Sequence, residues 1–119
     1  MQLNNKKILI VAGFEQVGQT IKPVLKRLAG GGKIEIIVCN DITSAIEIIG
    51  VERFDLIITD PFDGQGVGLA HLAKEKYRET FTILMSGGGS NQEGITRFDG
   101  FLEKPFEIQT LKSMIDSLT

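Results

Sequence analysis

Asp60, Ser86 and Lys104 carry the side chains in this sequence best suited to chemistry, and each follows an apolar run. Asp60 follows "DLIIT" (55–59), Ser86 follows "FTILM" (81–85), and Lys104 comes just after "GFL" (100–102). A carboxylate can attack an electrophile, while an ammonium or a hydroxyl can stabilise the charge that develops. Each residue also has a plainer reading, as a turn former, a loop hydroxyl or a solvated charge. The functional reading requires these three positions, distant in sequence, to meet on one surface. A separate motif, "GFEQVGQT" (13–20), nearly matches the phosphate-cradling pattern G-x-x-x-x-G-K-[ST], with Gln19 where the lysine belongs.

The elements that position these residues follow from the rest of the pattern. Two further runs, "ILIV" (8–11) and "IEIIVC" (34–39), complete a set of five. Most are continuous rather than alternating, as expected of parallel strands covered on both faces. Helical spacing lies between them. The stripes are Val17, Ile21, Val24, Leu25 and Leu28, then Ile42, Ala45, Ile46 and Ile49. Leu69, Leu72 and Ala73 begin a third, and Ile108, Leu111, Ile115 and Leu118 form the last. Asp41 is placed to cap the second helix, and Glu107 to open the last near its positive dipole end. "GGG" (30–32) stops the first helix. Pro23 interrupts that helix, at about 3 kcal/mol unless the helix kinks or starts late. "SGGGSNQEG" (86–94) stands where a fourth helix belongs. Each glycine there costs about 1 kcal/mol relative to alanine, so a short, frayed or missing helix is expected.

The order is therefore β-α-β-α-β-α-β-(α)-β-α. Right-handed crossovers turn it into a five-stranded parallel sheet with helices on both faces. Such sheets bind ligands at the carboxyl ends of their strands. That rim collects Ala12 and Gly13, Asp60, Ser86 with Gly87, and Glu103-Lys104-Pro105.

Composition narrows the function classes. A chain of 119 residues suffices for one domain and is too short for two. Hydrophobic residues at 42% and charged residues at 24% are ordinary for a soluble globular protein. The net charge of −2 is scattered, with no basic patch to bind nucleic acid. No apolar run approaches the ~20 residues of a membrane span, so no membrane partner is expected. Cys39 is the only cysteine and cannot form an internal disulfide, which points to the cytoplasm. His71 is the only histidine, without the cluster that a zinc site needs.

Taken together, "KKILIV" ahead of a helix, "FDLIITD" with "GVGL" shortly after, "ILMSG" and "GFLEKPF" resemble the receiver domain of two-component response regulators. The resemblance covers essentially the whole chain and implies one receiver domain over residues 1–119. It implies a flavodoxin-like, doubly wound sheet of strand order 2-1-3-4-5. It further implies Asp60 as phosphoacceptor, Ser86, Gly87 and Lys104 as phosphate-binding groups, Phe101 as the aromatic switch and Gly68 as the glycine opening the third helix. The residue types suit that chemistry. A carboxylate attacking a phosphoryl donor gives an acyl phosphate, lysine faces the equatorial oxygens, and Mg²⁺ neutralises charge. Asp60 and the Phe62 carbonyl would contribute to that ion's site. The implied role is signalling rather than enzymatic. The implied partners are a histidine kinase or phosphotransfer protein and a downstream output protein, with no small-molecule substrate.

Three features depart from the family pattern. Receivers carry a pair of acids after the first strand to hold Mg²⁺, whereas this chain has Ala12 and Gly13. Glu15 and Asp63 are the acids nearest in sequence that could substitute. Pro61 removes a backbone N–H beside the acceptor. The glycine-rich stretch replaces much of the fourth helix. Two receiver readings follow, a working phosphoacceptor or a pseudo-receiver that keeps the fold as a binding module. Loss of both acids favours the second, with Lys104 paired permanently to Asp60. The alternative from another class is a degenerate P-loop nucleotide-binding protein, with "FDLIITD" holding its magnesium. Neutral Gln19, the short chain and an unexplained "LEKPF" count against it. Of the smaller features, "SGGGS" reads as a loop more than an anion-binding nest, and His71 as structural or solvated. Phe101 reads more as core than as switch, although in the family the same ring does both, and "KEKYRE" (74–79) reads as a solvated helix end.

Overall fold

The computed structural model describes residues 1–86 and 98–118. Strands β1 (Lys6–Val11), β2 (Ile34–Cys39), β3 (Leu56–Thr59), β4 (Phe81–Ser86) and β5 (Gly100–Glu103) form one parallel sheet. Their order is β2-β1-β3-β4-β5, the flavodoxin-like order expected. The helices are α1 (Glu15–Leu28), α2 (Ile42–Val51), α3 (Gln65–Lys76) and α4 (Ile108–Ser117), with a single 3₁₀ turn at Phe62–Gly64. Gly87 and the rest of the glycine-rich stretch, where a short, frayed or missing helix is expected, lie outside the described residues.

The continuous apolar runs have a simple cause. Side chains alternate across a strand, and both faces of this sheet are covered. Ile8 and Ile10 of β1 pack with Ile21, Val24 and Leu25 of α1 and Leu111 and Ile115 of α4. Leu9 and Val11 pack on the opposite face with Ala45 and Ile49 of α2 and Leu69 and Ala73 of α3. All four β1 residues are fully buried.

The helix signals act as local chemistry requires, with a few differences. Asp41 caps α2 by accepting the Ser44 backbone N–H at 2.7 Å. Gly30 and Gly31, at φ +64° and +84°, end α1 in the left-handed backbone that glycine tolerates. Pro23 neither ends α1 nor delays its start. It lies on the solvent face, as does Gln19, whose carbonyl loses its helical partner, so water can replace the missing donor. Ile46 and Ile108 are exposed although they continue apolar stripes. Only Ala45 and Ile49 of α2, one turn apart, are buried, and Ile46 lies about 100° around the axis from Ala45. In α4 the stripe is buried from Leu111 onward. Lys74 is not a solvated charge, because its ammonium bonds the Thr80 carbonyl at 2.9 Å and Asp99 at 2.8 Å. Among the described residues, no helix is long and apolar enough to cross a membrane.

Candidate functional site

Three residues at the carboxyl rim prolong the sheet ladder by one bond each. The backbone N–H of Ala12 donates to Cys39 O at 3.0 Å, that of Asp60 to Val11 O at 2.8 Å, and that of Lys104 to Ser86 O at 2.6 Å. Their backbones are therefore fixed to the neighbouring strands β2, β1 and β4 respectively. The Lys104 ammonium donates to Asp60 Oδ1 at 2.5 Å. The Gly13 backbone N–H donates to Asp60 Oδ2 at 2.9 Å. Both carboxylate oxygens of a buried aspartate are thus held by groups of the same chain. The Ala12 carbonyl is engaged as well, by Asn40 Nδ2 at 3.0 Å. Ser86 ends β4 fully buried, opposite Glu103 in the ladder.

The backbone after Asp60 is unusual. Phe62, Asp63 and Gly64 have φ values of +46°, +52° and +95°. A left-handed phenylalanine is rare, because its Cβ crowds the following carbonyl. Several bonds secure this turn. Pro61 O accepts the N–H groups of Gly64 at 2.9 Å and Gly66 at 2.8 Å, and Phe62 O accepts the Gln65 N–H. Gly66 is required here, because a Cβ on it would collide with the Asp60 carbonyl and approach that of Pro61 to 3.2 Å. The Phe62 ring packs on the core face that contains Val11 and Ala45. Its edge is 3.7 Å from where a Cβ on Gly13 would stand.

Other candidates fall into place around this centre. Phe101 of β5 is half-buried against Val67, Ala70, Leu84 and Phe98. It also lines a 650 Å³ groove with Glu103, Lys104, Pro105, Phe106, Glu107 and Thr110. Gly68 lies within the first turns of α3, exposed. His71 is exposed and 3.3 Å from Glu75 one turn later. The "GFEQVGQT" segment is helical from Glu15, so it forms no loop around a phosphate. Gly18 serves packing instead, since a Cβ there would come within 2.6 Å of Val38.

This donor set does not fit Mg²⁺. The ion needs near-octahedral oxygen ligands, commonly one or two carboxylates with waters. Among the described residues, Asp60 is the one acid at the centre, and both its oxygens face N–H donors. Glu15 and Asp63 are exposed. Among the described residues, no three Asp, Glu, His or Cys side chains gather as a metal site. The Phe62 carbonyl already accepts a turn hydrogen bond. Sequence reasoning marked Ala12 and Gly13 as missing acids. It did not find the opposite polarity that Gly13 brings, a donor where the pattern expects an acceptor. The glycines of "DGQG" were the available signal for the tight turn.

No protein-family model matches the chain. Transcriptional activator protein PfeR of Pseudomonas aeruginosa is 34% identical over 88 residues, covering 70% of this chain and 29% of PfeR. The chain thus spans less than a third of that relative's length. The response regulator receiver domain (CheY-like) from Methylobacillus flagellatus has a similar structure, with TM-score 0.79 and 22% identity, covering 96% of this chain and 98% of that one. So does chemotaxis response regulator CheY4 of Vibrio cholerae, with TM-score 0.80, 23% identity and coverage of 96% and 98%. Response regulator TrrA of Thermotoga maritima, solved with Mg²⁺–BeF, has TM-score 0.80, 21% identity and coverage of 96% and 99%. The fold of this chain is that of the CheY-like receiver domains.

Proposed function

We propose that the chain is a cytoplasmic receiver domain of two-component signalling whose phosphoacceptor position, Asp60, is held closed. It then acts as a protein-interaction module that does not depend on Mg²⁺-dependent phosphorylation. One observation carries this reading: both oxygens of Asp60 are occupied, by Lys104 and by the Gly13 N–H. Each oxygen keeps a lone pair, but the donated bonds and the ion-paired lysine lower its nucleophilicity, and in-line phosphoryl transfer needs a cation to neutralise the incoming charge. Here Asp60 and Lys104 cancel each other's charge without one. Ser86 and Lys104 keep the positions of phosphate-binding groups, and Phe101 that of the switch, but their work becomes the maintenance of one surface.

In this role the domain binds partners rather than turning over a substrate. The candidates are a histidine kinase or phosphotransfer protein and a downstream output protein. The likeness to a transcriptional activator favours an output that controls transcription. An ¹⁵N-resolved NMR titration with Mg²⁺ and then beryllofluoride tests the reading. Unchanged resonances for residues 13, 60 and 86 are expected, and saturating shifts there at low millimolar Mg²⁺ would refute it.

A further inference from the structure

We infer that Phe62 excludes divalent cations from this corner, its ring acting as an apolar plug against the Gly13 loop. The inference rests on the proposed function and names the residue that enforces it. The ring edge is 3.7 Å from the Cβ position of residue 13. A methyl group would touch it at ordinary contact distance. Side-chain atoms beyond that Cβ, and the waters that Mg²⁺ retains, would have an aromatic edge that offers no oxygen as their neighbour.

The left-handed backbone at Phe62 has two effects at once. It turns the ring over the Gly13 loop, and it commits the Phe62 carbonyl to the Gln65 N–H. Such a conformation persists only where the surroundings over-determine it. Gly64 and Gly66 do so by binding Pro61 O, and the half-buried ring does so by packing on the core. Loss of the acids and presence of the plug are separate barriers, so restoring the acids alone leaves the site closed.

The test uses Mn²⁺ as the probe, followed by electron paramagnetic resonance and calorimetry. Four proteins are compared: the unsubstituted chain, A12D/G13D, A12D/G13D/F62G and A12D/G13D/F62L, each checked for folding by thermal melting. Glycine suits the positive φ at residue 62, whereas leucine keeps bulk there. The F62G triple variant is expected to bind Mn²⁺ about tenfold or more tightly than the double variant, with the F62L triple variant matching the double. Equal binding by A12D/G13D and A12D/G13D/F62G overturns the role of Phe62 and leaves the proposed function standing. Failure of every variant to bind also overturns that role. Saturable binding by the unsubstituted chain overturns the proposed function itself. F62L in the otherwise unsubstituted chain gives a readout that needs no added acids. Loss of the ring current is expected to move the Gly13 resonances, and a static Gly13 signal overturns the plug.

Discussion

If Asp60 is neutralised within its own chain, Lys104 and Asp60 should affect stability unequally. Breaking a buried ion pair from one side costs about 3–5 kcal/mol, because the remaining charge is stranded. The Asp60 side chain is 11% exposed and that of Lys104 28%. Replacing Lys104 by Met leaves a carboxylate with little access to water, and its remaining partner among the bonds described is the Gly13 N–H. Lysine's partial exposure places the loss at the lower end of that range, about 3 kcal/mol. Replacing Asp60 by Ala leaves an ammonium on a flexible stem that can swing into solvent, so about 1–2 kcal/mol is expected. The double variant should lose less than the sum, since neither stranded charge remains. Urea unfolding followed by circular dichroism measures this. With a slope of about 1–3 kcal/mol/M, K104M should lower the midpoint by roughly 1–3 M. Two results would refute the reasoning. D60A could prove as damaging as K104M, or it could raise stability. A rise would mean that Asp60 sits among like charges that repel it, as in a cation-binding acid cluster.

Two glycines that both lack room for a Cβ should respond differently. At Gly66 the obstructing atoms are the backbone of Asp60 and Pro61, which cannot yield. G66A should lose about 2 kcal/mol in thermal or urea melts, outweighing the ~1 kcal/mol that alanine gains in a helix. At Gly100 the obstructing atom is the sulfur of Met114, a flexible side chain, so G100A should cost under about 1 kcal/mol in the same melts. Burial first, and then the Asp41 carboxylate, push the Cys39 thiol above its ordinary value. Its thiolate forms at higher pH, so iodoacetamide should alkylate it at pH 8 more slowly than free cysteine. D41N, which retains a capping side chain, should move the midpoint of the rate–pH profile downward.

The sequence by itself determined the architecture and the rim on which the candidate residues lie. Continuous apolar runs must be strands with two covered faces, and stripes at helical spacing must pack on them, so five strands and their crossovers were legible. The ends of those runs fixed the rim, and with it the neighbourhood of Ala12, Gly13, Asp60, Ser86 and Lys104. The absence of acids at positions 12 and 13 was enough to expect Lys104 on Asp60. Pro23 shows the limit of local rules, because an exposed carbonyl can exchange a helical partner for water.

Only the tertiary structure decided how the corner is closed. That Gly13 turns its N–H toward Asp60 depends on how the β1–α1 loop leaves the sheet. That Phe62 takes a left-handed backbone contradicts its own local preference, and neighbouring glycines and core packing impose it. Periodicity and residue type report which groups are buried together. They do not report φ at a single turn, and here that angle sets where the Phe62 ring lies against the Gly13 loop.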